Sequence, residues 1–342
     1  MQPRGPSFTK CAYPPQKIAA VVAELTQQGV AAAAALEGSG LDESQLRDAS
    51  TRVSYSQMDT VFRNALGLSR DPTIALRAGE RMHVLALGVY GYALMSSSSQ
   101  FDGVAYAQRY LGVTGPLTDT RIEVQGHEVV CSCEPLHWSD PAQDIYRFVV
   151  EFSLSTHLTV GRDMVGAMFN FDTVEVAHAA PAHAQACAVR FGCPVQFGRQ
   201  RNRMTYAASW LERPVVLADP VSNAAACEAC EKMLAELDRA GGIAGDVRRA
   251  LLAQPGKFPS IEAMADRLSI HPRALRRRLE AEGTSYRDLL AEVRARLAIE
   301  YLRQTAMTNE EIASRLGYSD AANFRHAFAR WTGKSPSEFR AD

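Results

Sequence analysis

Met264-Ala-Asp-Arg-Leu268, followed by Ser-Ile-His-Pro-Arg-Ala-Leu275-Arg-Arg-Arg-Leu279, is written a second time in altered letters. The second copy is Ile312-Ala-Ser-Arg-Leu316, followed by Gly-Tyr-Ser-Asp-Ala-Ala-Asn-Phe324-Arg-His-Ala-Phe328. Each copy reads as a short helix, a turn and a second helix. That is the pattern of a helix-turn-helix, whose second helix lies in the DNA major groove. Leu268 and Leu316 are 48 positions apart, and Leu279 and Phe328 are 49 apart. A near-constant offset across core positions marks an internal repeat.

In the first copy Ile261, Met264, Ala265 and Leu268 recur at helical spacing, with Ser260 placed as the N-cap after Pro259. Pro272 suits the first position of the next helix, where its missing N–H costs nothing. Leu275 and Leu279 mark the buried stripe of that helix. At about 100° per residue, Arg273 and Arg277 then project to the opposite side, with Arg276 on the flank. Arg278 falls nearer the core edge and is a phosphate candidate. Gly283 is expected to end the helix. In the second copy Ile312, Ala313 and Leu316 form the stripe, Gly317 closes the first helix, and Ser319 or Asp320 caps the next. Phe324 and Phe328 turn inward, so Ala322 and His326 face away, flanked by Asn323 and Arg325.

Between the copies, Tyr286 to Gln304 holds neither Gly nor Pro and keeps a helical period through Leu289, Leu290, Val293, Leu297 and Tyr301. A helix of that length spans about 28 Å at 1.5 Å per residue. One turn of B-DNA is about 34 Å. The spacing therefore suits two recognition helices in successive major grooves on one face of the duplex. Residues 256–342 carry a net charge of +3 and the remainder −4, against −1 for the whole chain. The sign suits a DNA-binding tail. An isolated run such as Arg276-Arg277-Arg278 would read as a solvated helix face; its place on the second helix of a repeated motif favours the groove.

Residues 245–340 resemble the DNA-binding domain of the AraC/XylS family of bacterial transcription regulators. The stretches that carry the resemblance are Ile312-Ala-Ser-Arg-Leu-Gly-Tyr-Ser-Asp320, Phe324-Arg-His-Ala-Phe-Ala-Arg-Trp-Thr-Gly333 and Ser335-Pro-Ser-Glu-Phe339-Arg340. The resemblance implies base-reading places for Arg273, Arg276 and Arg277 in the first motif, and for Ala321, Ala322, Asn323 and His326 in the second. The Ala321-Ala322 pair departs from the polar side chains often found there. Alanine contacts a thymine methyl but offers no hydrogen bond to a base.

A chain of 342 residues is long enough for a second domain. Its N-terminal half reads as helices from Pro14 through the Ala31–Ala35 run to Leu36, at Ser44–Leu46, Tyr55–Leu68, Pro72–Met82 and Phe101–Leu111. Two strands are expected about a Gln125-Gly126 turn, then a helix over Tyr146–Val165, a strand at Thr173–His178, a helix over Pro181–Arg190 and a strand from Met204. Strands scattered between helices indicate α+β: an N-terminal domain of helices with a small, mainly antiparallel sheet, followed by an all-α domain. This half resembles the arabinose-binding-type effector domain of one AraC-family subgroup. The resemblance rests on Gly88-Val-Tyr-Gly-Tyr-Ala-Leu94, Val174-Glu-Val-Ala-His-Ala-Ala-Pro181, Phe191-Gly-Cys-Pro-Val-Gln-Phe197 and Leu211-Glu-Arg-Pro-Val-Val-Leu-Ala-Asp219. It implies a small-molecule effector without naming one. The expected domains are 14–220 for sensing and dimerisation, 221–255 as a helical connector, and 256–342 for DNA binding.

Catalytic and cofactor motifs are not evident: there is no phosphate-binding Gly-rich loop, no HExxH and no GxSxG. Cys227-Glu-Ala-Cys230 has metal spacing but no second pair, and His178, His183 and Cys187 lack a fourth ligand. No metal, cofactor or enzyme activity is therefore expected. Tyr90, Tyr92, Phe101, Tyr106, Trp138, Phe148 and Phe152 are the candidates for lining an effector pocket. No run reaches the length of a membrane span, and the N-terminus lacks the apolar core of a signal peptide. The chain reads as a cytoplasmic, dimeric transcriptional activator whose partners are promoter DNA, an unidentified effector and RNA polymerase. The alternatives are an enzyme-like domain fused to a helix-turn-helix tail and an architectural DNA binder.

Overall fold

The computed structural model describes residues 8–240, 242–252, 256, 258–282, 284–304, 307–332 and 335–337. The chain divides into two compact units, one ending at Leu234 and the other running from Ala235.

The N-terminal unit opens with α1 (Gln16–Gln27) and α2 (Ala32–Ala35), where the sequence suggests one continuous helix. The break has a local cause. Gly29 sits at φ 83°, and the Gln28, Gly29 and Val30 N–H groups fold back onto Leu25 and Thr26 carbonyls. There follow α3 (Tyr55–Leu68), α4 (Ile74–Glu80), α5 (Val89–Met95) and α6 (Gln100–Tyr110). Ser54 starts α3 with a capping box: its hydroxyl accepts from Gln57 N–H, while the Gln57 side chain takes the Ser54 N–H. The segment read as a helix at Ser44–Leu46 is a single 3-10 turn, Gln45–Arg47.

β1 (Thr118–Gln125) and β2 (Glu128–Pro135) form the expected hairpin, with Gln125 opposite Glu128 and Gly126 at φ 62°. Then come α7 (Asp144–Val165), β3 (Thr173–Glu175), α8 (Ala184–Phe191), β4 (Val195–Gln196) and β5 (Arg203–Ala207). The five strands run in the order β1-β2-β5-β3-β4, antiparallel except for the β3–β4 pair. Cys131, Val174 and Met204 on this sheet pack with Val150, Leu154 and Leu158 of α7 and Cys187 and Phe191 of α8. Helix α4 approaches α7 closely at Gly79, where a Cβ would stand 2.4 Å from the Phe152 carbonyl oxygen.

The stretch expected as a connector, 221–255, is divided. Helix α9 (Pro220–Ala240) spans the boundary between the units, and α10 (Gly242–Leu252) belongs to the C-terminal core through Ala244, Val247 and Leu251. That core continues through α11 (Ile261–Arg267), α12 (Pro272–Ala281), α13 (Tyr286–Gln304), α14 (Asn309–Arg315) and α15 (Ala321–Thr332). Leu275, Leu279, Phe324 and Phe328 are all buried in it. Each such side chain contributes about 1.5–3 kcal/mol by burial. Helix α13 keeps the bounds the sequence suggested. Gly283, expected to end α12, and Gly333 and Phe339-Arg340 of the signature lie outside the described residues.

Candidate nucleic-acid interface and effector cavity

The repeat is visible hydrogen bond by hydrogen bond. In the first turn, the N–H groups of Leu268, Ser269 and Ile270 reach back to the carbonyls of Met264, Asp266 and Ala265. In the second, those of Leu316, Gly317 and Tyr318 reach Ile312, Ser314 and Ala313, each at the same offset. Gly317 has φ 70°. Ser269 occupies the equivalent place at φ 55°, the one positive φ outside glycine among the described residues. Ser260 caps α11 through Ala263 N–H, and Thr308 caps α14 in a capping box with Glu311.

Helix α12 starts at Pro272 behind His271, whose Nδ1 accepts the Arg273 N–H at 3.2 Å. With Leu275 and Leu279 buried, Arg273, Arg276, Arg277 and Arg278 are all exposed. Arg276 is tied to Glu262 of α11 at 2.8 Å. In the second motif Asp320, not Ser319, is the cap, accepting Asn323 N–H at 2.7 Å. That bond and the Ser319 hydroxyl hold the Asp320 carboxyl below its usual range. Ala322, Asn323, Arg325 and His326 are exposed, and Ala321 is half-buried. The Asn323 amide donates to Ser319 Oγ and Asp320 Oδ2, at 2.9 and 2.8 Å. Arg294 of α13 lies over two rings, Phe258 ahead of α11 and Tyr318 in the second turn, at 5.1 and 4.8 Å. It ties the linker helix to both motifs.

The N-terminal unit holds a cavity of about 190 Å³ between the sheet face, α6 and α7. Of the seven aromatic candidates, Tyr90 and Phe152 line it; Tyr92, Phe101, Tyr106, Trp138 and Phe148 do not. Tyr92 and Phe101 are exposed, and Tyr106 packs beside Tyr110. Trp138 donates from Nε1 to Asp59, and Phe148 stacks on Phe62, so both build an aromatic core with α3. The stripe of α6 that faces the cavity is Val104, Ala107 and Gln108, continued by Leu111 in the turn just past the helix, a helical spacing in which aromatics play no part. Lys17 is also on the wall, and no sequence motif marks it.

His183 and Cys187 do meet, but their third neighbour is Glu151 rather than His178. His183 Nε2 lies 2.9 Å from Glu151 Oε1. Burial and the adjoining carboxylate push the Cys187 thiol up to about 12, which disfavours the thiolate a metal needs. Cys227 Sγ turns to Asn223 Oδ1 at 3.8 Å, within α9.

Two matched helix-turn-helix motifs on one core, joined in one chain to a separate domain with its own cavity, define the class of a two-domain DNA-binding regulator. Residues 29–215 match the model of the arabinose-binding domain of AraC transcription regulators, and residues 264–342 match a helix-turn-helix domain. The chain belongs to the AraC family of transcription regulators. It is 33% identical over 98% of both chains to the ornithine utilization regulator of Pseudomonas aeruginosa. It is 29% identical over 92% of both chains to a helix-turn-helix-type transcriptional regulator of Mycobacterium tuberculosis. The crystal structure of the transcriptional regulator CdpR from Pseudomonas aeruginosa aligns over 96% of this chain and 98% of that one, with a TM-score of 0.48 and 23% identity. No helix among the described residues is long and apolar enough to cross a membrane.

Proposed function

We propose that this regulator reads two successive major-groove segments of a promoter, α12 through Arg273, Arg276 and Arg277, and α15 through Ala321, Ala322, Asn323, Arg325 and His326. Arg278 serves the phosphate backbone. The observation that carries this reading is the repeat itself: two equivalent turns present two exposed helix faces from one shared core. Arginine pairs bidentately with guanine O6 and N7, whereas the second face offers one amide, one imidazole, one guanidinium and two methyls. Specificity therefore concentrates in the half-site under α12. Arg276 and Asn323 leave Glu262 and the Ser319–Asp320 cap when they engage bases.

The effector occupies the cavity of the N-terminal unit, against Tyr90 and Phe152. The bound state acts in the cytoplasm as a homodimer formed through that unit, recruits RNA polymerase, and performs no chemistry of its own. The relative's name points to ornithine as a metabolite of interest. Among the described residues the cavity wall holds no Asp or Glu to receive a side-chain ammonium, so a diamino acid does not suit it.

Footprinting of the full chain on the promoters beside its own gene tests the interface. The expected pattern is two protected segments about one helical turn apart on one face. A single protected segment, or equal affinity for operator and random DNA, overturns it.

A further inference from the structure

Lys17 is the anomaly of the N-terminal unit. It projects from the first turn of α1 and is 8% exposed. One of its three N–H groups donates to the Thr114 carbonyl at 2.6 Å. No carboxylate among the described residues pairs with it. Burial alone acts on the ammonium and lowers its pKa to about 8. A buried cation without a counter-ion is destabilising, and folded proteins ordinarily pair it or dispense with it.

The surroundings give this cation a use. Lys17 and Thr114 both line the cavity, and so do the hydroxyl-bearing Thr118 and Thr120, on the same face of β1. Thr118 Oγ1 and Thr120 Oγ1 are 3.0 Å apart, so a short polar ladder leads away from the Thr114 corner. Along the strand the next position on that face is Ile122, followed across the sheet by Cys131 and Met204. The remaining wall is predominantly apolar, with Val104 and Ala107 from α6, Leu111 just past it and Phe152 from α7. The site thus has the Lys17 ammonium at one corner, neutral hydroxyls and amides, the His157 imidazole on the α7 side and a largely hydrocarbon lining, with no acid among the described residues of the wall. Its size is comparable to engineered apolar cavities that admit a benzene-sized molecule.

We propose that the cavity takes a small apolar monocarboxylate, whose carboxylate pairs with the Lys17 ammonium and whose body lies against α6, α7 and the sheet. This deepens the effector reading and rests on it. Pairing would supply the missing counter-ion and bridge α1 to the segment leading into β1. Binding is then favoured by charge at one corner and by burial along the rest.

Thermal unfolding of the full chain tests it with three probes of one chain length: octanoate, octan-1-ol and octylamine, each below its micellar concentration. The variants are Lys17→Met, Lys17→Gln, which removes the charge but keeps a donor for Thr114, and Val104→Trp, which fills the cavity. Octanoate is expected to raise the wild-type Tm by several degrees, well above the alcohol, with no rise from the amine. Both Lys17 variants should lose octanoate's advantage over octanol, and ligand-free Lys17→Met should melt higher than wild type. Val104→Trp should abolish every shift. An undiminished octanoate preference in both Lys17 variants overturns the proposal. Equal shifts from octanoate and octanol, both lost in Val104→Trp, overturn the carboxylate and leave the effector cavity standing. No shift from any probe removes both.

Discussion

The two helix-turn-helix motifs share a backbone and divide the labour. The first carries charge: four exposed arginines on α12, with a single-residue cap at Ser260 and a serine forced to positive φ in its turn. The second carries order: a full capping box at Thr308–Glu311, glycine in the turn, an Asp320 cap and a phenylalanine pair in the core. The difference teaches that an internal repeat preserves what the fold needs, namely cap, turn and core positions. The outward face is free to diverge. A binding surface is therefore read from what differs between the copies rather than from what they share.

That division fails if the motifs are independent folding units, so the largest expected effect concerns the shared core. Phe324 is fully buried, and its replacement by alanine should cost about 3–5 kcal/mol. Because Leu275 and Phe324 lie in one cluster, amide exchange in α12 should accelerate together with that in α15. Unchanged protection of α12 in Phe324→Ala would mean that the motifs fold separately.

The next effect contrasts the two faces directly. Arg277 and His326 occupy matching places at the offset of 49. Arg277→Ala is expected to weaken operator binding by about 1–3 kcal/mol and to relax preference at one base pair. His326→Ala should lose less. Arg278→Ala should weaken operator and random DNA alike and lower the salt slope of binding by about one. Gel-shift titrations at several salt concentrations separate these outcomes. A larger loss at His326 than at Arg277 would reverse the assignment of specificity to the first motif.

Capping comes third. The box at Thr308 has two halves. Thr308→Ala removes the hydroxyl that accepts the Glu311 N–H and should cost about 1 kcal/mol, as should Ser260→Ala, whereas Thr308→Ala combined with Glu311→Ala also removes the carboxylate that accepts the Thr308 N–H and should cost about 1–2 kcal/mol. Urea unfolding of these variants gives the order, and equal costs for Thr308→Ala with and without Glu311→Ala would show that the Glu311 half of the box contributes nothing.

Much of this was legible beforehand because it is local. Pro272, Gly317 and the periodic Leu and Phe positions announce helices and turns through short-range rules, and the hairpin at Gln125-Gly126 does the same. The cavity was not legible, because it is assembled from segments far apart in sequence. Lys17 meets Thr114, 97 residues on, and a lysine at the edge of an apolar helical stripe reads as solvated. Aromatic content drew attention to Trp138 and Phe148, whose rings complete a core with α3 instead. Helix α10 carries an amphipathic pattern like any connector, and only packing shows which unit it joins. The alanine run after Gly29 favours helix so strongly that periodicity alone does not place a break there. The Glu262 and Asp320 contacts that restrain Arg276 and Asn323 likewise depend on side-chain placement that periodicity does not report.

The smallest effect tests the equivalence of the two turns. At Ser269 a side chain is held at φ 55°, a conformation that costs an L-residue about 1–2 kcal/mol. Glycine there removes that cost but frees the unfolded chain, which returns about 0.4–1 kcal/mol. Ser269→Gly should therefore stabilise the C-terminal unit by about 0.5–1 kcal/mol. Gly317→Ser runs the argument backwards. A Cβ at Gly317 would meet its nearest neighbour, Arg294 Nη2, at 3.4 Å, an ordinary contact. Its cost should thus be conformational rather than steric, and of similar size. If the turns are physically equivalent, the double exchange should return to within a few tenths of a kcal/mol of the parent, as independent sites do. Denaturant midpoints for the two single variants and the double variant decide it. A double variant far below the parent would show that Gly317 answers to something Ser269 does not, and the first place to look would be Arg294, which packs on Tyr318 and lies 3.5 Å from the Gly317 carbonyl oxygen.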